Sequence, residues 1–176
     1  MPMPSGKAVL DALRTQRVTH VCTVPDWIQI DLHRALMAGE TPGIRLVTFC
    51  TEDEAITAAG GLLAGGARPV VVIQNQGLYA GLNALRAVGL DAEMPIVLLI
   101  GQFGREIANY TVDPADSTRR VVRILEPILS AIDVPSRRID DADDLEAIDW
   151  AFRDAADRSA PTAVIFGSNL PLEASI

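Results

Sequence analysis

The chain of 176 residues has few of the residue types on which metal sites, disulfide frameworks and nucleic-acid surfaces depend. Its two cysteines and two histidines form no metal motif and no disulfide framework. Lysine and arginine number 15 against 23 aspartates and glutamates, and this acidic balance argues against binding nucleic acid or an anionic membrane surface. No apolar run is long enough to span a membrane, and the first residues lack the apolar segment of a secretory signal. We therefore expect a cytoplasmic protein.

The cysteines and histidines are expected to serve the structure. Cys22 and Cys50 lie in strand-like apolar runs, which predicts buried free thiols in a reducing compartment. His20 lies in a predicted strand and His33 in a predicted helix, and both are interpreted as structural rather than catalytic. We predict no metal site formed by this chain.

Alternating strands and helices indicate an α/β fold. Apolar residues make up 49% of the chain, and its length fits one domain spanning residues 1–176. Several strands are continuous apolar runs, as parallel strands buried on both faces are. We predict three layers: a mostly parallel six-stranded sheet with helices on both faces. The predicted strands are 18–24, 44–50, 69–74, 95–101, 135–139 and 161–166, and the predicted helices are 5–16, 26–37, 52–65, 79–88, 118–132 and 143–157.

An acidic cluster stands where the second predicted strand gives way to a helix. Thr51 and Glu54 have the spacing of a capping box, and the helix dipole favours acidic residues such as Asp53 in a first turn. Glu52 is not needed for capping. Because it lies at the carboxyl edge of the sheet, it is our first candidate for contact with a ligand or a partner.

Polar residues also follow the first and third predicted strands. Asp26 has two interpretations, as an N-cap of the next helix or as a side chain that faces a ligand. The segment Gln74-Asn75-Gln76-Gly77 is either an ordinary polar turn or a cradle for a cofactor ring or a substrate carboxylate.

Four segments, in this order, resemble the pyrimidine-binding domain of thiamine-diphosphate enzymes, in particular the sulfopyruvate and phosphonopyruvate decarboxylase branch. They are the turn Thr23-Val24-Pro25-Asp26, the segment 51–61 that begins with Thr51-Glu52, the segment Gln74-Asn75-Gln76-Gly77-Leu78, and the strand 95–101.

The resemblance implies a chemistry and a set of residues. Glu52 would hydrogen-bond N1′ of the cofactor's aminopyrimidine and so promote loss of the thiazolium C2 proton, and the cofactor would stabilise the carbanion left when a 2-oxo acid loses CO2. Asp26 would face the substrate and take part in proton transfer. The implied cofactor-binding residues are Pro25, Glu52, Gln74, Asn75, Gly77 and Leu78, and the implied substrate-binding residues are Asp26, Asn75, Gln76 and Arg105.

Two positions depart from the branch. Gln76 stands where the branch usually has serine, and Gly104-Arg105-Glu106 stands where it has Arg-Gly-Glu. Another 2-oxo acid is therefore open as the substrate.

The resemblance also implies a partner. Enzymes of this kind bind Mg²⁺ and the diphosphate through a Gly-Asp-Gly … Asn motif, which this sequence lacks. We therefore expect an α subunit whose β subunit binds Mg²⁺ and the diphosphate and buries Glu52 in a hetero-oligomer. Alone, the chain is expected to expose an apolar patch near Trp27, Leu62, Leu63 and Leu78, which a homodimer could cover.

Two other functions fit the same sheet edge. One is a non-catalytic regulatory or scaffolding partner with this fold. The other is a flavodoxin-like module that binds a flavin or a nucleotide.

Overall fold

The computed structural model describes residues 3–39, 43–105, 112–168 and 170. Strands and helices alternate along these residues. The strands are β1 His20–Thr23, β2 Arg45–Thr48, β3 Pro69–Gln74, β4 Val97–Gly101, β5 Ser136–Ile139 and β6 Thr162–Phe166. The α-helices are α1 Gly6–Thr15, α2 Ile30–Met37, α3 Glu52–Ala64, α4 Asn75–Ala84, α5 Arg120–Arg123, α6 Leu125–Ala131 and α7 Glu146–Arg158.

The six strands form one sheet in the order β2-β1-β3-β4-β6-β5, and every neighbouring pair is parallel. The predicted α/β fold with a six-stranded sheet is therefore confirmed. Because all the strands point the same way, the turns that follow them meet at one edge of the sheet. The residues after β1, β2, β3 and β4 that the sequence singled out all lie along that edge.

Both faces of the sheet are covered by helices. Along β3, Val70 and Val72 pack into a core with α1, α2 and α7, whereas Val71 and Ile73 pack into a second core with α3, α4 and α6. This alternation follows from the two-residue period of a strand and explains why β3 reads as an unbroken apolar run. The three-layer arrangement is confirmed.

Helix α2 begins four residues later than predicted. The prediction started the helix at Asp26, but residues 26–29 form a turn and the helix starts at Ile30. The Asp26 carboxylate accepts a hydrogen bond from the backbone N–H of Gln29, and this local bond holds the turn in place of a first helical turn.

Three other helices differ from their predicted bounds. Helix α4 starts at Asn75, before the predicted 79, and continues as a π-helix over Leu85–Asp91. The predicted helix 118–132 is two helices, and Pro127 lies in the first turn of α6, where a proline costs no helical hydrogen bond. A 3₁₀ turn at Ala142–Leu145 precedes α7.

The prediction for the cysteines is half right. Cys22 is fully buried, and burial raises the pKa of its thiol to about 11. Cys50 is exposed, because β2 is an edge strand that ends at Thr48, before it. None of the described helices combines the length and the apolar character that crossing a bilayer requires.

Candidate functional site

In the turn after β2, Glu54 makes the capping hydrogen bonds and Glu52 does not, as the sequence predicts. The Glu54 carboxylate accepts hydrogen bonds from the backbone N–H groups of Cys50 (3.2 Å) and Thr51 (3.3 Å), so the Thr51–Glu54 capping box is confirmed. A hydrogen bond from the Thr51 side chain lowers the pKa of the exposed Asp53 carboxyl. Glu52 takes no part in these bonds.

The Glu52 side chain leans across Gly77, in the first turn of α4. A Cβ added at Gly77 would overlap the carboxyl group of Glu52 itself, and one added at Gly81 would come within 2.9 Å of Ile56. The two glycines therefore let α3 and α4 approach closely and bring Glu52 over the start of α4. Glu52 is partly buried, and within the described part of the chain its carboxylate has no hydrogen-bond or ion-pair partner.

The segment after β3 starts helix α4 and is not an ordinary turn. Asn75 is fully buried, and its amide nitrogen donates to the carbonyls of Phe103 (3.0 Å) and Val121 (3.1 Å). Both donors of Asn75 are thus used within the chain, and only its Oδ1, which accepts from the N–H of Gln76, has capacity left. Its direct contact with a ligand stays a prediction.

The neighbours of Asn75 differ in exposure. Gln74 is partly buried and its side chain makes no hydrogen bond among the described residues. Gln76 is exposed, whereas Leu78 is fully buried in the core. Gln74 and Gln76 can therefore meet a ligand directly, and Leu78 can act only through packing.

The turn after β1 carries an exposed proline and a buried acid. Pro25 is exposed, whereas the Asp26 side chain is only 4% exposed. The Asp26 carboxylate lies over Gly101, the last residue of β4, where an added Cβ would come within 3.0 Å of Oδ1. Asp26 and Glu52 belong to different faces, since α2 packs on one core and α3 on the other.

Sequence reasoning missed two residues that contact Asp26. Gln29 donates a hydrogen bond to each carboxylate oxygen, one from its backbone and one from its side chain. The ring of His33, interpreted as structural, accepts a hydrogen bond from the backbone N–H of Asp26 at Nε2 (3.3 Å). The spacing Asp26-x-x-Gln29 is the signal that could have found Gln29, because an aspartate before a helix often accepts a hydrogen bond from a backbone N–H two or three residues on.

Arg105 lies at the ends of β5 and β6 and is nearly buried. Its guanidinium forms an ion pair with Asp140 at 2.5 Å, beside Gly167. A substrate anion would have to share Arg105 with Asp140, so the predicted role of Arg105 stays a prediction. Glu106, the next residue of that motif, lies outside the described residues.

Exposed apolar side chains surround this edge of the sheet. Trp27 is 63% exposed in the turn after β1, and Phe103 is 39% exposed in the turn after β4. The predicted patch is thus right for Trp27 and wrong for Leu78, which is fully buried because α4 begins earlier than predicted. Leu62 and Leu63 are partly buried against the core.

A cleft of about 480 Å³ lies beside the start of α3 and is lined by Phe49, Asp53, Glu54, Thr57 and Ala58. It is open to solvent, and Glu52 is not among the residues that line it. No group of histidine, cysteine, aspartate or glutamate side chains in residues 3–39, 43–105, 112–168 and 170 is arranged to hold a metal ion. The Glu52 carboxylate covers Gly77 and has no hydrogen-bond or ion-pair partner among the described residues, so its oxygens can accept a hydrogen bond from an N–H donor of a ligand.

One comparison with known proteins gives a match. A family model described as thiamine pyrophosphate enzyme, N-terminal TPP binding domain, matches residues 3–118. The match covers well over half of the chain and includes Asp26, Glu52 and the start of α4. A search of curated proteins finds no match.

Proposed function

Because the chain belongs to the thiamine pyrophosphate enzymes through their N-terminal TPP binding domain, we propose that it is the α subunit of a two-chain decarboxylase of a 2-oxo acid. Its part is to bind the aminopyrimidine of thiamine diphosphate and to activate the cofactor through Glu52. The observation that carries the proposal is the Glu52 carboxylate, which lies over Gly77 and has no partner among the described residues, in a chain of this family.

Glu52 is suited to hold a proton at N1′ of the aminopyrimidine. Its carboxylate lies over Gly77. Neither the capping box nor an ion pair among the described residues uses the oxygens of that carboxylate. Gly77 leaves room for the carboxyl group, while Gln74 stands at the same helix start with a side chain available for the ring. When bound, thiamine diphosphate supplies the electron sink that decarboxylation of a 2-oxo acid requires.

The site is proposed to lie between two subunits. Trp27 and Phe103 expose aromatic surface at the same edge of the sheet as Glu52, and such surface is enriched in protein interfaces. A β subunit that covers this edge would exclude water from Glu52 and hold the diphosphate and Mg²⁺. In its absence, a second copy of the chain could cover the same residues.

The substrate is proposed to be a small anionic 2-oxo acid such as sulfopyruvate or phosphonopyruvate, converted to the aldehyde. Asp26 is the proposed proton-transfer group, and Gln76 is the exposed polar side chain nearest the start of α4. Arg105 could meet the second acidic group of the substrate in competition with Asp140.

Co-expression with a chain that carries the diphosphate-binding domain tests the proposal. The pair is purified by size-exclusion chromatography and assayed for CO2 with thiamine diphosphate, Mg²⁺ and sulfopyruvate, phosphonopyruvate or pyruvate. We expect CO2 from the pair and none from either chain alone. A complex that binds the cofactor and releases CO2 from none of these acids would contradict the proposed substrate class, and a chain that neither forms a complex nor binds cofactor would contradict the proposed function.

A further inference from the structure

Gln29 holds both oxygens of the Asp26 carboxylate. Oδ1 accepts a hydrogen bond from the backbone N–H of Gln29, and Oδ2 accepts one from its side-chain Nε2, both at 2.9 Å. The same Nε2 lies 3.1 Å from the carbonyl oxygen of Ile73 and 3.3 Å from that of Leu99. The Gln29 amide thus ties Asp26 to the carboxyl ends of β3 and β4, the two strands at the centre of the sheet.

Capping alone does not explain this arrangement. Helix α2 starts at Ile30, so a single bond to the backbone N–H of Gln29 would suffice to close the turn. Instead, a glutamine side chain is fully buried, and its Oε1 has no hydrogen-bond partner among the described residues. What separates Gln29 from a simple cap is its side-chain Nε2, which joins the Asp26 carboxylate to the carbonyl oxygens of Ile73 and Leu99.

Two more contacts restrict Asp26. His33 accepts from its backbone N–H, and Nε2 of the ring lies 3.8 Å from the carboxylate Oδ2. Gly101 leaves room for the carboxylate, because a Cβ there would crowd Oδ1. The Asp26 carboxylate is therefore held in one position, by Gln29 at the start of α2 and by the backbone at Gly101 in β4.

We propose that Gln29 is a positioning residue for Asp26 in the reaction: it sets the orientation of the carboxylate at the ends of β3 and β4 without itself touching substrate. This inference rests on the proposed function, in which Asp26 transfers a proton. A correctly held acid–base group matters because small misplacements of such a group cost large factors in rate.

A double-mutant cycle on the full chain tests the contact without any activity. The variants are Q29L, D26N and D26N/Q29L, measured by urea unfolding. Asparagine at position 26 has one accepting oxygen in place of two, so D26N cannot keep both hydrogen bonds from Gln29. We expect the loss of urea midpoint caused by D26N to fall to roughly half or less once Gln29 is leucine, since contacting residues are not additive. Equal losses in both backgrounds would overturn the proposal.

Gln102 provides the matched control. It is also a fully buried glutamine at the end of β4, but its side-chain amide makes no hydrogen bond to the described residues. Q102L is expected to be additive with D26N. Should D26N not fold, NMR of the wild-type chain decides: a hydrogen-bond coupling between Gln29 Nε2 and the Asp26 carboxyl carbon supports the contact. Its absence, in spectra that show such couplings across β3 and β4, overturns the contact.

Kinetics of the reconstituted complex test the role. We expect Q29L to lower kcat about 10- to 100-fold with KM within about twofold, because Asp26 is present but misplaced. Q102L should leave both constants within about twofold. An unchanged kcat in Q29L would overturn the positioning role even if the cycle shows coupling. An inactive wild-type complex would instead contradict the proposed function, and the contact would still be decided by the cycle.

Discussion

The turns after β1 and β2 each place a carboxylate at the same edge of the sheet, and the two have opposite surroundings. Asp26 is buried, and both its oxygens accept hydrogen bonds from Gln29. Glu52 is partly buried, leans over Gly77 and has no partner among the described residues. A carboxylate that the protein satisfies has a fixed position, whereas one left unsatisfied retains its capacity to bind a ligand. In the proposed function, the buried Asp26 is therefore a carboxylate held in one orientation, and Glu52 is the carboxylate that contacts the cofactor.

Glu52→Gln should have the largest effect. Because Glu52 makes no bond within the described chain, we expect unfolding free energy to change by less than about 0.5 kcal/mol. Turnover of the complex should fall about 10²- to 10⁴-fold, the usual contribution of a positioned proton-transfer group. Glu54→Gln is the matched control, since it alters capping two residues away and should leave turnover intact. Full activity in E52Q would support a non-catalytic partner.

Gly77→Ala should lower both the stability of the fold and the affinity for the cofactor, because the new methyl group would displace Glu52. The added methyl group would overlap the Glu52 carboxyl group, so we expect a loss of about 1–3 kcal/mol and a strong drop in cofactor affinity. Gly61→Ala, in α3, is the control: nothing lies within 4 Å of the added Cβ, and helix propensity should raise stability by about 0.5–1 kcal/mol. Thermal unfolding and cofactor titration measure both. Equal behaviour of the two variants would refute the close approach at Gly77.

Asn75→Ala and Tyr79→Phe compare two side chains of α4 that both donate a hydrogen bond to the carbonyl of Val121. Asn75 donates to the carbonyls of Phe103 and Val121, and the Tyr79 hydroxyl donates to Val121 alone. We expect urea unfolding to show a loss of about 1–3 kcal/mol for N75A and about 0.5–1.5 kcal/mol for Y79F. If N75A costs no more than Y79F, Asn75 does not hold this segment, and its amide is available for a ligand.

The two cysteines should have the smallest effect on stability, and they differ in their exposure to a thiol reagent. Thiol labelling of the native chain at neutral pH should modify Cys50 and spare Cys22 until the protein unfolds.

Cys22 should also make stability depend on pH. Because burial raises the pKa of Cys22 to about 11, the folded state keeps the thiol proton at pH values at which the unfolded chain, with an ordinary pKa of about 8.5, has lost it. This contribution to stability is complete below pH ~8.5 and is lost as pH rises towards the folded value. Unfolding measured against pH in wild type and C22S separates it from other groups, and identical slopes would contradict it.

The sheet was predictable because its signal is redundant. Unbroken apolar runs such as β3 indicate strands buried on both faces, and their alternation with helices along the chain indicates a parallel sheet covered by helices. The separation of Glu52 from the capping bonds was predictable for a local reason, since the capping box uses Thr51 and Glu54, three positions apart, and leaves Glu52 unused.

The rest depended on contacts that no local pattern encodes. Gln29 binds the carbonyls of Ile73 and Leu99, residues far along the chain. Asn75 is predicted to contact a ligand, and its two side-chain N–H groups are used by the carbonyls of Phe103 and Val121, in a different part of the fold. Hydrogen-bonding capacity can be read from a sequence, but the partner that uses it is set by tertiary structure.

We propose above that Glu52, which has no hydrogen-bond or ion-pair partner in the described part of the chain, activates thiamine diphosphate. The most direct test is the rate at which the bound cofactor exchanges its thiazolium C2 proton with solvent, measured in the complex by rapid quench and NMR. We expect E52Q to slow this exchange about 10²- to 10⁴-fold while the E54Q complex exchanges as wild type does. Equal exchange rates in wild type and E52Q, with cofactor bound in both, would contradict the account.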